Sequence, residues 1–370
     1  MLGLIGFELE DAFSGVIFVF QSVYARFKVY ACFHHFPYFI IQVTSLFKFF
    51  FDFFKRYIIL MYFFNFRTMP PKRKRAPPGP KMAPPITSGT KLPFFKKAYI
   101  TGQKLGSGGF GTIYFASEEG KAKNQFALKI EPKESGPLFC EMHFYSHICK
   151  LPQFSAWLAK NKNLTKTEKS GACNYLPIPE YIASGKLTQK SEDLRWLVMP
   201  LFKGGDLHSV IKTSPISAKN LDNQLPRNMV SKITIQLVYA LKYMHDNNYA
   251  HADIKGMNIL LDKQVKFDKR GNLDKQSSDF KAFLVDFGLV AKFNREKTDY
   301  NPDKKKAGDG TIEYTSIDAH VGVKPNPRAD FEILFWCMMH WATGYRVFVI
   351  VVVRDIMLSY CSCQRYKFLI

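Results

Sequence analysis

Cysteine is scarce and unpatterned in this chain, which excludes several kinds of protein. The 370 residues contain 7 cysteines, and no two of them form a Cys-x-x-Cys pair. Structural zinc sites need closely spaced pairs, and small disulfide-built scaffolds need many cysteines in a short chain. The sequence therefore predicts neither a zinc site nor a disulfide framework, and it favours a reducing compartment.

Acidic residues are also in short supply. The chain has 31 Asp and Glu against 52 Lys and Arg, which gives a formal net charge of +21. Residues 69–94 are rich in Pro and Lys, and we expect them to form a disordered linker. Their basic cluster Lys72–Arg75 is typical of nuclear import or of chromatin and nucleic-acid association. A solvated tail that only aids solubility is the alternative interpretation.

A clean membrane-spanning run is missing as well. Residues 1–68 are rich in Phe but lack a helical or strand period. Val29–Phe47 has no charged residue and is just long enough to cross a bilayer, but Pro37 and Gln42 interrupt it. Three interpretations stay open: a membrane anchor, a cleaved signal peptide, or upstream translation before a natural start at Met69. We favour the third, and membrane attachment follows only from the first.

A glycine-rich loop connects two predicted strands. The spacing Gly106-x-Gly108-x-x-Gly111 also occurs in dinucleotide folds, but there it leads from a strand into a helix. Here Ile113 continues as strand, so the loop is predicted to be a hairpin whose amides approach phosphate oxygens. The predicted nucleotide-binding residues of this loop are Leu105, Gly106, Gly108, Gly109 and Gly111.

Lys129 lies in an apolar strand, Ala127–Ile130, where burial of its charge would be costly without partners. A phosphate and a carboxylate would offset that cost. Glu141, on a stripe of helical period, is the natural carboxylate partner. The pair resembles the lysine and glutamate that position ATP in protein kinases.

The segment His251–Leu261 carries the strongest chemical signal. It matches the kinase pattern His-Arg-Asp-Leu-x-x-x-x-Asn, with Ala252 in place of arginine. Asp253 would orient the substrate hydroxyl and accept its proton, and Lys255 would neutralise the transferring phosphoryl group. Asn258 and Asp286, the latter in an Asp-Phe-Gly triplet, would be the magnesium ligands. Lysine two residues after the aspartate is the serine/threonine-kinase pattern.

The activation segment narrows the resemblance. Ser316–His320 reads Ser-Ile-Asp-Ala-His, where most kinases have Ala-Pro-Glu, and this resembles the vaccinia-related kinases of the casein kinase superfamily. Leu138–Tyr145 and Ile178–Tyr181 resemble the same family. The resemblance covers about residues 95–344. It implies a bilobal α+β kinase fold, with a small lobe and hinge at 95–203 and a large lobe at 204–344.

The resemblance also implies where ATP would bind. Met199 would be the gatekeeper, and the hinge would hold adenine through the Pro200 carbonyl and the Phe202 N–H. Ala127, Ile113 and Leu260 would enclose the ring, and Asp206 would reach the ribose. The implied function is transfer of the γ-phosphate of Mg-ATP to serine or threonine hydroxyls of protein substrates. Nuclear, chromatin-associated substrates are implied, with a cytoplasmic location as the alternative.

The family pattern stops after Gly344. Residues 345–370 form a tail that does not resemble the family, so the large lobe is expected to be incomplete. The helix predicted over 329–344 is apolar nearly all round. We therefore expect an exposed apolar patch beside this helix and an unstable chain. A catalytically impaired, nucleotide-binding scaffold is the alternative function.

Overall fold

The computed structural model describes residues 82–108, 111–161, 175–189, 191–214, 224–268, 270–294, 302–303, 310–311, 314–320 and 322–344. The apolar extension 1–68 and the tail 345–370 lie outside these ranges, as do residues 69–81 of the predicted linker. Within the described ranges, no helix is both long enough and apolar enough to span a bilayer.

Six strands of the described chain form one antiparallel sheet, in the order β1-β2-β3-β4-β6-β5. They are β1 (Lys91–Phe94), β2 (Lys97–Ser107), β3 (Thr112–Glu118), β4 (Lys121–Pro132), β5 (Ala183–Gln189) and β6 (Glu192–Pro200). The glycine loop joins β2 to β3, as the sequence predicts. Successive side chains of each strand point to opposite faces of the sheet, so the two faces carry different sets of residues.

One face of the sheet is the core of this lobe. Leu128 and Ile130 of β4 are fully buried there, beside Tyr114 of β3. The alternate residues of the same strand, Ala127 and Lys129, point to the opposite face and are only partly buried. Because the apolar side chains fill one face, the other is left to receive a ligand.

The end of the predicted linker belongs to this core. Lys91–Phe94 forms the edge strand β1, and Leu92 is fully buried. Before it, Ile86 is buried and its N–H donates to the Tyr114 hydroxyl at 3.1 Å. The expectation of disorder is therefore wrong for residues 82–94. The apolar Ile86 and Leu92 and the pairing with β2 supply the burial and hydrogen bonds that composition alone does not reveal.

Of the six α-helices in the described residues, two precede the hinge and four follow it. The described α-helices are α1 (Gly136–Ile148), α2 (Leu151–Lys160), α3 (Leu207–Thr213), α4 (Arg227–Asp246), α5 (Ile317–His320) and α6 (Pro327–Thr343). Two short strand pairs lie between α4 and α5: β7 (Tyr249–Ala250) with β10 (Ala291–Lys292), and β8 (Ile259–Leu261) with β9 (Ala282–Leu284). Asp253 follows β7, Asn258 precedes β8 and Asp286 follows β9, so these pairs position the predicted catalytic loop.

Helix α6 corrects another expectation. Its large side chains on all sides, such as Leu334, Trp336 and Trp341, are 1–3% exposed. The helix packs against α4, and the Trp341 carbonyl accepts a hydrogen bond from the Leu225 N–H at 2.8 Å. The sequence correctly predicts a helix buried on every side, and the expectation that its own apolar side chains are left in water is wrong. The exposed patch expected beside the helix and the instability of the chain stay predictions.

Candidate active site

Lys129 is surrounded by carboxylates at the open face of the sheet. Its Nζ lies 2.6 Å from Glu141 Oε2, 3.1 Å from Asp286 Oδ1 and 3.5 Å from Glu131 Oε1. Burial alone would lower the pKa of Lys129, but these three carboxylates outweigh it and raise the pKa. The lysine is therefore charged, and the ion pair with Glu141 predicted from the sequence is formed.

The same charge acts on Asp286. Burial would raise the pKa of this carboxyl, but the Lys129 ammonium outweighs it and lowers the pKa. Asp286 has a φ of 64°, a left-handed conformation that is uncommon for residues other than glycine. This turn presents an ionised carboxylate to the face that carries Lys129.

Phe287 anchors the segment that carries Asp286. Its ring is buried, stacked on Phe144 of α1 with centroids 4.2 Å apart and edge-on to His251 at 5.2 Å. Its N–H donates to Glu141 Oε1 at 3.3 Å. Helix α1, the Asp-Phe-Gly segment and the catalytic loop are thus packed into one continuous core, and Glu141 connects the first two.

Asp253 lies at the centre of a polar cluster. Its Oδ2 accepts from Lys255 Nζ at 2.7 Å, and its Oδ1 accepts from the Thr311 hydroxyl at 2.6 Å. Lys255 Nζ also donates to Thr311 Oγ1 at 2.9 Å. The Asp253 side chain is 10% exposed and that of Lys255 is 21% exposed, so both can still be reached from solvent. A carboxylate, an ammonium and a hydroxyl therefore converge on one point.

A buried carboxylate supports the backbone of this loop. Asp330 of α6 is fully buried; it accepts from the N–H of His251 at 2.9 Å and of Ala252 at 2.8 Å. Its Oδ2 also lies 2.8 Å from Nε2 of His245. Ala252 has a φ of 69°, so Asp330 holds the loop in a conformation that alanine rarely adopts.

His251 has a defined tautomer. Its Nδ1 accepts from the Asp253 N–H at 3.2 Å, so the proton is on Nε2, which donates to the Val285 carbonyl at 3.1 Å. Complete burial lowers the pKa of His251 and keeps it neutral, although Asp330 and Asp253 partly oppose that shift. The ring therefore serves as a spacer between the loop and the strand that ends at Asp286.

The predicted magnesium ligands provide oxygen donors, which magnesium prefers. Asn258 Nδ2 donates to the Asp253 carbonyl at 2.8 Å and to Asp253 Oδ2 at 3.1 Å. Those bonds fix the amide with its oxygen turned away from Asp253. Asp286 Oδ1 accepts a hydrogen bond from Lys129, and the Oδ2 of the same carboxylate is a second oxygen that could bind the ion. This set of oxygen donors fits a hard divalent cation.

The glycine loop is open where a phosphate would approach. A Cβ placed on Gly106 or Gly108 would meet no atom within 4 Å, whereas a Cβ on Gly111 would lie 2.5 Å from the Ile130 carbonyl oxygen. Gly111 is therefore required by packing, and the first two glycines keep a side-chain-free surface. Leu105 precedes them and is 46% exposed. Gly109 lies outside the described residues.

Strand register gathers the predicted adenine residues on one face. Ile113 pairs with Lys129, and Ala127 pairs with Met199, so all four share a face of the sheet. Met199 is 8% exposed. Pro200 ends β6, at the beginning of the predicted hinge.

The other wall of that space comes from the helical lobe. The Phe202 ring lies 4.5 Å from that of Phe283. Asp206 and Leu260 form an isolated antiparallel β-bridge, which places both residues beside the hinge. The Asp206 carboxylate caps α3, accepting from the Ser209 N–H at 2.9 Å and its hydroxyl at 2.6 Å. The contact between Asp206 and the ribose stays a prediction. In such a contact the same carboxylate would bind the ribose and cap α3.

Comparison with known proteins identifies the family. The protein kinase domain matches residues 171–319. B1 kinase of vaccinia virus (strain Ankara) is 33% identical over 251 residues, which span 67% of this chain and 72% of that kinase. The chain belongs to the vaccinia-related kinase family.

Other members of the vaccinia-related kinase family are similar over a comparable span. The serine/threonine-protein kinase VRK1 of Caenorhabditis elegans is 34% identical over 75% of this chain and 40% of its own length. Nucleosomal histone kinase 1 of Drosophila melanogaster is 36% identical over 70% of this chain and 38% of its own. The chain thus spans about two fifths of these two relatives.

A solved structure of vaccinia related kinase 3 shares the fold. Its TM-score is 0.57, at 23% sequence identity, over 74% of this chain and 75% of that one. The bilobal kinase fold predicted from the sequence is therefore confirmed.

Two residues of the site were not among those predicted. Thr311 has no predicted role, yet its hydroxyl bonds to both Asp253 and Lys255. Asp330 was counted within an apolar helix, yet it holds the catalytic loop. A charged residue in an otherwise apolar helix was a usable signal, because a buried charge needs partners.

Proposed function

We propose that this member of the vaccinia-related kinase family transfers the γ-phosphate of ATP to serine or threonine hydroxyls of proteins. The observation that carries the proposal is the cluster of Asp253, Lys255 and Thr311, within 2.6–2.9 Å of one another. A carboxylate can take the proton of a hydroxyl nucleophile, and an adjacent ammonium can balance the charge of a phosphoryl group.

In the proposed reaction the substrate oxygen attacks the γ-phosphorus while the bond from that phosphorus to the bridging oxygen breaks. ADP leaves, and the hydroxyl proton passes to the Asp253 carboxylate. Lys255 balances the charge of the transferred group. Thr311 bonds to both residues and holds them in register for this step.

ATP would lie between the glycine loop and the catalytic loop. Lys129, held by Glu141, would bind phosphate oxygens, and Gly106 and Gly108 would offer backbone amides. Asn258 and Asp286 would hold magnesium, which supplies charge neutralisation at the phosphates. Ile113, Ala127, Met199 and Leu260 would enclose the adenine.

The proposed enzyme needs no phosphate on its activation segment. Ala252 stands where an arginine would pair with such a phosphate. The loop is held instead by Asp330, whose carboxylate accepts from the N–H groups of His251 and Ala252. We therefore expect activity without prior phosphorylation.

Nuclear, chromatin-associated proteins are the substrates we propose. Two observations support this: the basic cluster Lys72–Arg75 with the net charge of +21, and the Drosophila relative, which is named a nucleosomal histone kinase. Histone tails and nucleosomes are therefore the acceptors to test first.

The test is phosphate transfer from radiolabelled Mg-ATP to a histone mixture, followed by identification of the phosphorylated amino acid. We expect phosphoserine or phosphothreonine, and little product from Lys129→Met. Binding of Mg-ATP without transfer by the parent chain would instead favour the nucleotide-binding scaffold. The formed Lys129–Glu141 pair and the Asp253 cluster argue against that alternative.

A further inference from the structure

Two histidines lie one turn apart on the outer face of α1. His143 and His147 are both exposed, and their rings stack with centroids 3.8 Å apart and an interplanar angle of 22°. Positions four residues apart on a helix lie on the same side. The two imidazoles are thus neighbours, away from the face that carries Glu141. Stacked rings direct their in-plane lone pairs nearly parallel, so a shared ion would require the two side chains to change rotamer.

A backbone contact fixes the tautomer of His147. Its Nδ1 lies 2.8 Å from the His143 carbonyl oxygen, which can only accept. Nδ1 therefore carries the proton, and the lone pair of the neutral ring is on Nε2. The Ser146 hydroxyl donates to the same carbonyl at 3.1 Å. Metal-binding histidines are oriented in this way, with one nitrogen donating to a carbonyl and the other facing the ion.

His143 is free to provide the second donor. Within the described part of the chain, no hydrogen bond engages its ring, which has the stacked His147 and the charge of Lys292 as neighbours. Partial burial, then His147 and Lys292, lower the pKa of His143 and favour its neutral form. A neutral imidazole is the form that binds a metal ion.

We propose that His143 and His147 form a surface binding site for a divalent transition-metal ion such as Zn²⁺, Ni²⁺ or Cu²⁺. Paired histidines at this spacing bind zinc in other helices. Water would complete the coordination shell, because both rings are exposed. The site is separate from Asn258 and Asp286, whose oxygen donors suit magnesium.

A bound ion would connect two turns of the helix that carries Glu141. Ser135 makes no capping hydrogen bond, but the Leu138 N–H in the first turn of α1 donates to Glu131 Oε2 at 3.0 Å. The ion would therefore stabilise the second half of α1, in the manner of any ligand that binds the folded state.

The proposal is tested by calorimetric titration of the full 370-residue chain with Ni²⁺ and with Zn²⁺, in the presence of excess Mg²⁺. We expect saturable binding that Mg²⁺ does not compete away. His143→Ala and His147→Ala should each weaken it by at least about tenfold, because two donors on one helix act as a chelate. Both side chains are exposed, and circular dichroism would verify that each variant is folded.

The chain offers a matched control in the adjacent pair His34 and His35. The double variant His34→Ala/His35→Ala should bind Ni²⁺ as the parent does, and Ni²⁺ should raise the melting temperature of both chains by the same amount. The proposal is overturned if the parent shows no saturable binding. Loss of binding in the His34/His35 variant, or its survival in His147→Ala, would equally contradict it.

Discussion

Replacing Asp330 with asparagine removes the support of the catalytic loop at constant side-chain size. The carboxylate accepts from two backbone N–H groups and contacts His245 Nε2, and it is fully buried. An amide has one oxygen, so its NH₂ group must face a donor that the carboxylate now satisfies. Leaving one buried donor without an acceptor costs about 1–3 kcal/mol. Asp330→Asn should lose at least that much stability.

Chemical denaturation followed by tryptophan fluorescence measures this loss. The matched control is Asp193→Asn, because the Asp193 side chain is 52% exposed and pairs with Lys133 at the surface. Such exposed pairs contribute little to stability, because solvent screens the two charges. The reasoning is refuted if Asp330→Asn unfolds within about 0.5 kcal/mol of the parent, or if both variants lose the same stability.

Three further predictions concern the ion pair, the Thr311 hydroxyl and a buried acid. Lys129→Met and Glu141→Ala should each reduce phosphate transfer, and the double variant should lose less than the sum of the two effects in free energy; strict additivity in the kinetics would disprove the pair. Thr311→Val should lower kcat while Thr311→Ser retains most of it, and equal rates for both would remove the hydroxyl from the mechanism. Burial raises the pKa of Glu332 from 4.5 to about 7, so the folded state binds a proton that the unfolded state has released. Stability should therefore fall by about 3 kcal/mol as pH rises from 4.5 to 7; Glu332→Gln should abolish that slope in denaturation curves at pH 5 and 8, and an unchanged slope would contradict the assignment.

Much of the site could be predicted because its chemistry requires particular residues in a fixed order. Lys129 in an apolar strand needs a carboxylate, and the helical stripe offered Glu141, which lies 2.6 Å away. Asp253 and Lys255 were recognisable from their spacing in the chain, and they are in contact. These are pairings between residues of defined charge, which sequence patterns report well.

The roles of Thr311 and Asp330 depend on how distant segments pack. Thr311 is far from Asp253 in sequence, and a threonine after a glycine has no charge to suggest a partner. Asp330 bonds to backbone N–H groups, which every residue but proline has, so no side-chain pattern marks its partners. Residues 82–94 are likewise structured because a few apolar side chains, Ile86 and Leu92 among them, are buried, although the composition of the segment indicates disorder.

The most direct test of the central claim compares Asp253→Asn with the parent in two assays, phosphate transfer and ATP binding. Asp279→Asn is the control, since that side chain is 75% exposed. Loss of the general base should reduce transfer by about 10²–10⁴-fold, while affinity for Mg-ATP and the control's activity stay unchanged. Transfer by Asp253→Asn within about threefold of the parent would contradict the assignment of Asp253 as the base.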